Sequence, residues 1–153
     1  MSWSEADQAF MAQAIDLATG RMGETWPNPA VGCVIVGGPS GDRVVGRGWT
    51  QPGGRPHAEV MALAQAGAAA RDATAYVTLE PCAMCAMAMV HARLARVVYA
   101  ASDPKTGAAG SVFDLLADPR HNHRVQVTGG VLGEEAGRRL TNYFRAKRGR
   151  PLI

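Results

Sequence analysis

The sequence predicts a three-layer α/β/α fold in which helices cover both faces of a five-stranded mixed sheet. Short β-branched runs alternate along the chain with segments in which apolar residues recur at helical spacing. The chain has 153 residues, of which 47% are hydrophobic and 19% are charged, so it can bury one ordinary core. The sequence shows no internal repeat and no linker. We therefore predict a single domain over residues 1–153.

The first predicted elements are a helix and a β-hairpin. Ser4 is a candidate N-cap, and apolar residues recur at helical spacing from there to Gly20, which is a suitable stop. The run at 30–36 is rich in β-branched residues and is typical of a strand. The run at 43–49 is predicted to be the returning strand, because the intervening segment GGPSGD is typical of a turn.

Three further strands follow, and we expect a helix before each of them. Parallel neighbouring strands need a crossover of about a dozen residues, and all three connections are long enough. The predicted elements are a helix at 57–70, a strand at 73–79, a helix at 82–94, a strand at 95–101, a short helix at 111–118, a strand at 123–129 and a terminal helix at 134–148. Together with the hairpin, these strands make the predicted sheet a mixed one.

The composition indicates a soluble, cytoplasmic protein. No apolar run reaches the length of a membrane span, and the start MSWSEADQ is polar and acidic, unlike a signal peptide. Three cysteines cannot form a full disulfide framework, and a close pair in a cytosolic chain is more often a metal or redox site. The net charge is +3, and basic residues crowd the C-terminus: Arg138, Arg139, Arg145, Lys147, Arg148 and Arg150. Two interpretations of this basic cluster are open: it is either a helix face exposed to solvent or a surface that contacts phosphates.

Two short motifs, His-Ala-Glu at 57–59 and Pro-Cys-Ala-Met-Cys at 81–85, point to a catalytic zinc site. Cys82 and Cys85 are three residues apart, so both thiolates face the same way on the first turn of a helix. The partial positive charge of a helix N-terminus also favours them. His57 begins the other helix and can supply a third ligand, which leaves the fourth position for water. Glu59 is then near the metal and free to move protons.

A Cys-x-x-Cys pair alone could also be a redox pair or half of a structural zinc site. A structural site needs a fourth ligand with matching spacing. Cys33 lies in the middle of a predicted strand and reads as a small core residue, and His91, His121 and His123 lack such spacing. The two motifs together therefore favour one catalytic Zn²⁺ per chain over either alternative.

The same two motifs are the known signature of zinc-dependent nucleobase deaminases, and the chain resembles the cytidine-deaminase-like superfamily over nearly its whole length. From Ala75 onward it resembles the bacterial tRNA-specific adenosine deaminases, which convert adenosine to inosine at the wobble position. The segments that carry this resemblance are YVTLEPCAMCAMAMVHARLARVV, DPKTGAAGS, NHRV and YFRAKR. It implies nucleic-acid contacts for two groups of residues: Asp103, Lys105 and Thr106 beside the pocket, and Tyr143, Phe144 and Arg145 on the last helix. It also implies a homodimer.

From about Phe10 to Leu79 the chain looks more like the pyrimidine deaminase of riboflavin synthesis. The segments that carry this second resemblance are WPNPAVGCVIV, VVGRGW and QPGGRPHAE. Thr50 departs from both branches, and the two zinc cysteines lack the insertion that usually separates them in the riboflavin enzymes. The resemblance places Asn28, Thr50 and Ala58 at the substrate, although Asn28 also reads as a turn residue between two prolines.

The switch of resemblance suggests that the chain is a mosaic. A riboflavin-type N-terminal half would join an adenosine-deaminase-type C-terminal half within ATAYVTLEPC at 73–82, a block that both branches share. Natural recombination and an engineered graft would each produce such a chain.

The leading functional hypothesis is zinc-dependent hydrolytic deamination of adenosine to inosine in single-stranded nucleic acid, at the anticodon wobble position of a tRNA. A base in a loop is already unstacked, so flipping it out costs little. The alternative is a deaminase of a small free base or nucleotide, such as the riboflavin-pathway diaminopyrimidine, which Thr50 and the short QPGGRP loop favour. A non-catalytic zinc-binding module is a third hypothesis, and the intact Glu59 argues against it. The expected partners are tRNA or another single-stranded nucleic acid, and no membrane.

Overall fold

A computed structural model of the protein describes residues 3–153, and the backbone follows the predicted order of elements in all but one segment. The first helix, α1 (Glu5–Thr19), begins as predicted at Ser4, whose hydroxyl accepts the N–H of Asp7 at 3.0 Å. The further helices and strands are β1 (Gly32–Gly37), β2 (Arg43–Trp49), α2 (Ala58–Ala66), β3 (Thr74–Leu79), α3 (Ala83–His91), β4 (Arg96–Ala101), β5 (Gln126–Gly129) and α4 (Gly133–Lys147). Short 3-10 turns occur at Pro52–Gly54 and Gly67–Ala70.

The five strands form one mixed sheet in the order β2-β1-β3-β4-β5. Strand β1 is antiparallel to both of its neighbours, whereas β3, β4 and β5 run parallel to one another. Because β2 and β3 are both antiparallel to β1, they point the same way, and α2 crosses from one to the other. Helices α2 and α3 therefore begin at the same edge of the sheet, beyond the carboxyl ends of β2 and β3.

Alternating side chains of the strands supply two apolar cores, one on each face of the sheet. Cys33 and Ile35 of β1 pack with α2 and α3 on one face. Val34 and Val36 point the other way and pack with α1 and α4, as expected for three layers. Within residues 3–153, no helix combines the length and the apolarity that crossing a membrane requires.

A partly buried ion pair holds α1 against the sheet. The carboxylate of Asp7 accepts two hydrogen bonds from the guanidinium of Arg96, both at 2.9 Å, and one from the hydroxyl of Tyr76 at 2.8 Å. These hydrogen bonds hold the pKa of Asp7 below its ordinary value, with the Arg96 bonds contributing most and burial opposing them. The first turn of α1 is thereby fixed to β3 and β4.

Helix α2 approaches β2 closely because two positions of this strand are glycines. A Cβ at Gly48 would lie 2.2 Å from the carbonyl oxygen of Ala58, and one at Gly46 would lie 2.4 Å from that of Ala62. Any larger residue would push the helix away. The two glycines therefore set the position of the start of α2, where His57 and Glu59 lie.

The predicted helix at 111–118 is wrong. The backbone N–H groups of Val112 and Phe113 donate to the carbonyl of Gly107, and that of Leu115 donates to Ala108. Glu80 accepts the N–H of Ser111 at 3.0 Å. In a helix over 111–118 the N–H of Leu115 would donate to the carbonyl of Ser111, but here it donates to Ala108, and β5 is reached through an irregular connection instead of a helix.

Candidate active site

The structure brings the three predicted zinc ligands together at the shared edge of the sheet. His57 is the N-cap residue of α2, Cys82 is the N-cap residue of α3, and Cys85 lies in the first turn of α3. The Nδ1 atom of His57 lies 3.7 Å from the sulfur of Cys82 and 3.4 Å from that of Cys85. All three donor atoms lie within 4.8 Å of one another.

This donor set fits zinc. Zinc lies about 2.0–2.3 Å from nitrogen and sulfur ligands in a tetrahedron, which separates the donors by roughly 3.5 Å. The distances around His57 match that separation. Three protein ligands leave one position open, as in catalytic rather than structural zinc sites.

The two cysteines shift each other's pKa in opposite directions. A hydrogen bond from Cys85 lowers the pKa of Cys82 to about 5, and His57 acts in the same direction. The same hydrogen bond and burial raise the pKa of Cys85. Zinc binds cysteine as the thiolate, so metal binding must release the protons that the two sulfurs still carry.

Glu59 lies in the first turn of α2, two residues after His57, and its side chain is only 4% exposed. Burial raises the pKa of Glu59 to about 7, and a charge on Cys82 acts in the same direction. A carboxyl group with a pKa near neutrality can both accept and donate a proton at physiological pH.

A cavity of about 210 Å³ opens beside His57, Glu59 and Cys82. Its walls come from the loops that follow α1, β2 and β4. Four of the predicted substrate residues lie on these walls: Asn28, Thr50, Asp103 and Thr106. This volume is below the range of about 300–1,000 Å³ that is usual for ligand pockets, which favours a single flipped base or a small free heterocycle over a larger ligand.

The wall residues are held in different ways. Thr50 is 3% exposed, and its hydroxyl accepts the N–H of Val31 at 3.0 Å, so it also fixes the end of β2 to β1. Asn28 packs against Gly54, where a Cβ would lie 2.2 Å from the amide nitrogen of Asn28. Gly54 has a φ of 90° as well, so this approach requires glycine.

Asp103 shapes its own loop. Its carboxylate accepts the N–H groups of Lys105 and Thr106 at 3.0 and 3.2 Å, and the hydroxyl of Thr106 at 2.9 Å. Lys105 is exposed and is not part of the cavity wall, and Ala58 is fully buried beneath β2. The substrate contacts of Lys105 and Ala58 remain predictions.

The three residues predicted on the last helix lie outside the cavity wall. The rings of Tyr143 and Phe144 pack against Trp26, with ring centroids 6.1 and 5.7 Å away. Arg145 donates to the carbonyl oxygen of Pro151 at 2.5 Å. Contact of these residues with RNA remains a prediction.

Sequence reasoning missed Glu80, which lies on the cavity wall and is 3% exposed. Its carboxylate accepts the N–H groups of Asp103, Ala109 and Ser111 at 3.0–3.1 Å, and also the hydroxyl of Ser111. A carboxylate directly after an apolar strand and before Pro-Cys was the available signal. Glu80 ties the loop after β4 to the end of β3, next to Cys82.

Known proteins match this chain along most of its length. The family pattern described as the cytidine and deoxycytidylate deaminase zinc-binding region matches residues 4–101. The tRNA-specific adenosine deaminase of Haemophilus influenzae is 39% identical over 95% of this chain and 87% of its own length. The riboflavin biosynthesis protein RibD of the same organism is 38% identical over 100% of this chain but only 41% of its own length.

Solved structures give the same two groups of relatives. RibD of Acinetobacter baumannii superposes with a TM-score of 0.78 at 40% identity, covering 93% of this chain and 40% of that protein. A tRNA:A34 deaminase studied for A-to-I editing at the wobble position superposes with a TM-score of 0.69 at 33% identity, covering 84% and 96%. The Haemophilus influenzae relatives of both kinds cover 95% and 100% of this chain at nearly equal identity, and the mosaic remains a hypothesis.

Proposed function

The chain belongs to the cytidine and deoxycytidylate deaminase family of zinc-dependent deaminases, and we propose that it converts adenosine to inosine in single-stranded nucleic acid, at the wobble position of a tRNA. In this reaction water adds to the ring carbon that bears the amino group, the bond from that carbon to the amine breaks, and ammonia leaves. His57, Cys82 and Cys85 would hold zinc, which when bound would supply a water activated for attack at neutral pH.

Glu59 is the residue that we propose moves the protons. It is buried in the wall of the cavity that holds the target base, next to two of the zinc ligands. As a carboxylate it takes a proton from the attacking water, and as a carboxylic acid it gives a proton to the leaving amine. A pKa near neutrality suits both halves of this transfer.

The observation that most supports a nucleic-acid substrate is the aromatic and basic character of the end of α4. Lys147 lies 5.8 Å from the ring centre of Tyr143, and Arg148 lies 5.8 Å from that of Phe144. Both rings pack against the loop that contains Asn28, at the cavity. Aromatic rings bordered by cations are the usual means of binding unpaired nucleotides. The tRNA-specific relatives support the same substrate.

A free pyrimidine, such as the riboflavin-pathway diaminopyrimidine, is the second candidate substrate. Asn28 and Thr50 belong to the half of the chain with the riboflavin-type resemblance, and both lie on the cavity wall. The RibD relatives are as similar to the chain as the tRNA-specific ones. A small pyrimidine would use the cavity alone and leave α4 without a role.

The proposal includes a homodimer in the cytoplasm, where tRNA is found. Met84, between the two cysteine ligands, is 56% exposed, and Val112 and Phe113 on the loop after β4 are 46% and 52% exposed. A second copy of the chain would remove such apolar side chains from water. Light scattering of the purified protein should give twice the mass of one chain, and a monomer would contradict this part of the proposal.

Three substrates in one mixture test the proposed function. They are an anticodon stem-loop with a wobble adenosine, a single-stranded DNA containing adenine, and the riboflavin-pathway diaminopyrimidine. Mass spectrometry should show inosine in the RNA with the wild-type protein. Deamination of the pyrimidine alone would overturn the proposed substrate.

Two variants test the assigned roles in the same assay. Glu59→Ala should keep zinc and fold but lose turnover by several orders of magnitude, because the other two carboxylates of the wall, Glu80 and Asp103, are held in hydrogen bonds with the loop after β4. Cys82→Ala is the matched control that should lose zinc, measured by metal analysis. Full activity of Glu59→Ala would contradict the proton-transfer role.

A further inference from the structure

Trp26 lies at the tip of a tight turn that is continuous with the cavity wall. The N–H of Asn28 donates to the carbonyl of Thr25 at 2.7 Å, and the hydroxyl of Thr25 donates to the carbonyl of Asn28 at 2.9 Å. Thr25 is fully buried, and Asn28 lies on the cavity wall. Only Pro27 separates Trp26 from Asn28, so the indole has a fixed position beside the cavity.

The indole is supported from α4 and remains open to solvent. Phe144 and Tyr143 pack against it with ring centroids 5.7 and 6.1 Å away, and these two rings lie 5.3 Å from each other. Trp26 nevertheless remains 40% exposed, whereas the other two tryptophans, Trp3 and Trp49, are half-buried. A ring held in place before binding loses little conformational entropy when a ligand stacks on it.

The cations around this cluster favour an anionic ligand with flat rings. Lys147 and Arg148 lie over the two supporting rings, and within residues 3–153 no cation lies over the indole of Trp26. Single-stranded nucleic acid binds to such surfaces, with bases stacked on the aromatic rings and phosphates beside the cations. A free heterocycle inside the cavity would not reach Trp26.

We propose that Trp26 is the stacking platform for the base next to the deaminated one, and that Tyr143 and Phe144 position the indole from behind. This inference rests on the proposed nucleic-acid substrate. It gives Tyr143 and Phe144, for which the resemblance implied RNA contact, the additional role of holding the indole in place. It also makes the loop after α1 a determinant of which strands are accepted.

A double-mutant cycle between protein and RNA tests this stacking. The protein carries Glu59→Ala to prevent turnover, and the probes are an anticodon stem-loop and two copies that lack the base either 5′ or 3′ to the target adenosine. Trp26→Ala should weaken binding of the intact RNA by about 5- to 150-fold, the range for loss of one stacked base. It should have little effect on the RNA that lacks the stacked base. Trp26→Phe, which keeps a ring, should bind within a few-fold of the parent.

The outcomes separate this inference from the proposed function. Equal weakening of the intact RNA and of both abasic RNAs would show that Trp26 only supports its loop, and would overturn the inference. Unchanged binding of the intact RNA by Trp26→Ala would also overturn it. In both cases inosine formation by the wild-type protein would keep the proposed function intact. Absence of RNA binding and of inosine would overturn both together.

Discussion

Replacing Glu80 by glutamine should destabilise the protein, and the hydrogen bonds of Glu80 show by how much. One carboxylate oxygen accepts from the N–H of Asp103 and from the hydroxyl of Ser111, and the other accepts from the N–H groups of Ala109 and Ser111. A glutamine does least damage when its NH₂ group replaces the first oxygen, because the Ser111 hydroxyl can turn and accept. The N–H of Asp103 then has no acceptor.

The expected cost is about 2–4 kcal/mol in the free energy of unfolding. One lost hydrogen bond with an unsatisfied donor costs about 1–3 kcal/mol, and the remaining bonds are weaker because their acceptor is no longer charged. Burial raises the pKa of Glu80, but the bonds from Ser111, Asp103 and Ala109 outweigh it and hold the pKa below the ordinary value. The carboxylate therefore stabilises the fold above about pH 4.5, the value expected in the unfolded chain, and this contribution fades as pH falls through the lower folded pKa.

Urea unfolding at pH 7 measures this cost, with Glu134→Gln as the matched control. Glu134 is exposed in the first turn of α4, and the same change there should cost under about 1 kcal/mol. Hydrogen exchange should also speed up at the amides of Asp103, Ala109 and Ser111. Equal unfolding free energies for the two variants would refute the assignment of Glu80 as the residue that holds the loop after β4.

Two further variants test how the fold holds the site. Asp7→Asn should cost about 2–3 kcal/mol at pH 7, less than for a fully buried pair because the Arg96 side chain is 27% exposed. Since the folded pKa of Asp7 is lowered from 3.8, urea unfolding at falling pH should show this difference disappear as Asp7 protonates below that value. Gly48→Ala should cost about 2 kcal/mol or more and weaken zinc binding, because its Cβ would lie 2.2 Å from a carbonyl at the start of α2. Gly20→Ala, where the nearest atom is 3.6 Å away, should stay within about 0.5 kcal/mol, and an equal loss in both would contradict the packing argument.

Local patterns were sufficient to predict most of the fold and the metal ligands. The cap at Ser4, the hairpin turn and the two short motifs each depend on residues close together in the chain, and the structure has them as expected. The predicted helix at 111–118 did not form. The N–H of Leu115, which would make its first helical bond, donates to Ala108, and nothing in the local sequence identifies this partner. The packing of Trp26 against α4 joins residues more than a hundred positions apart, and no periodicity signals it.

At the edge of the sheet where α2 and α3 begin, the residues proposed for the chemistry and those proposed for substrate specificity lie on different kinds of structure. The metal ligands and Glu59 lie at the starts of helices that the core holds in place, whereas the rest of the cavity wall, apart from Leu79 at the end of β3, comes from connecting loops. A loop can change in length or sequence without disturbing strand register or core packing. Evolution can therefore exchange one amino-bearing ring for another on this scaffold while the reaction stays the same, which accounts for tRNA-specific and riboflavin-pathway relatives at nearly equal identity to one chain.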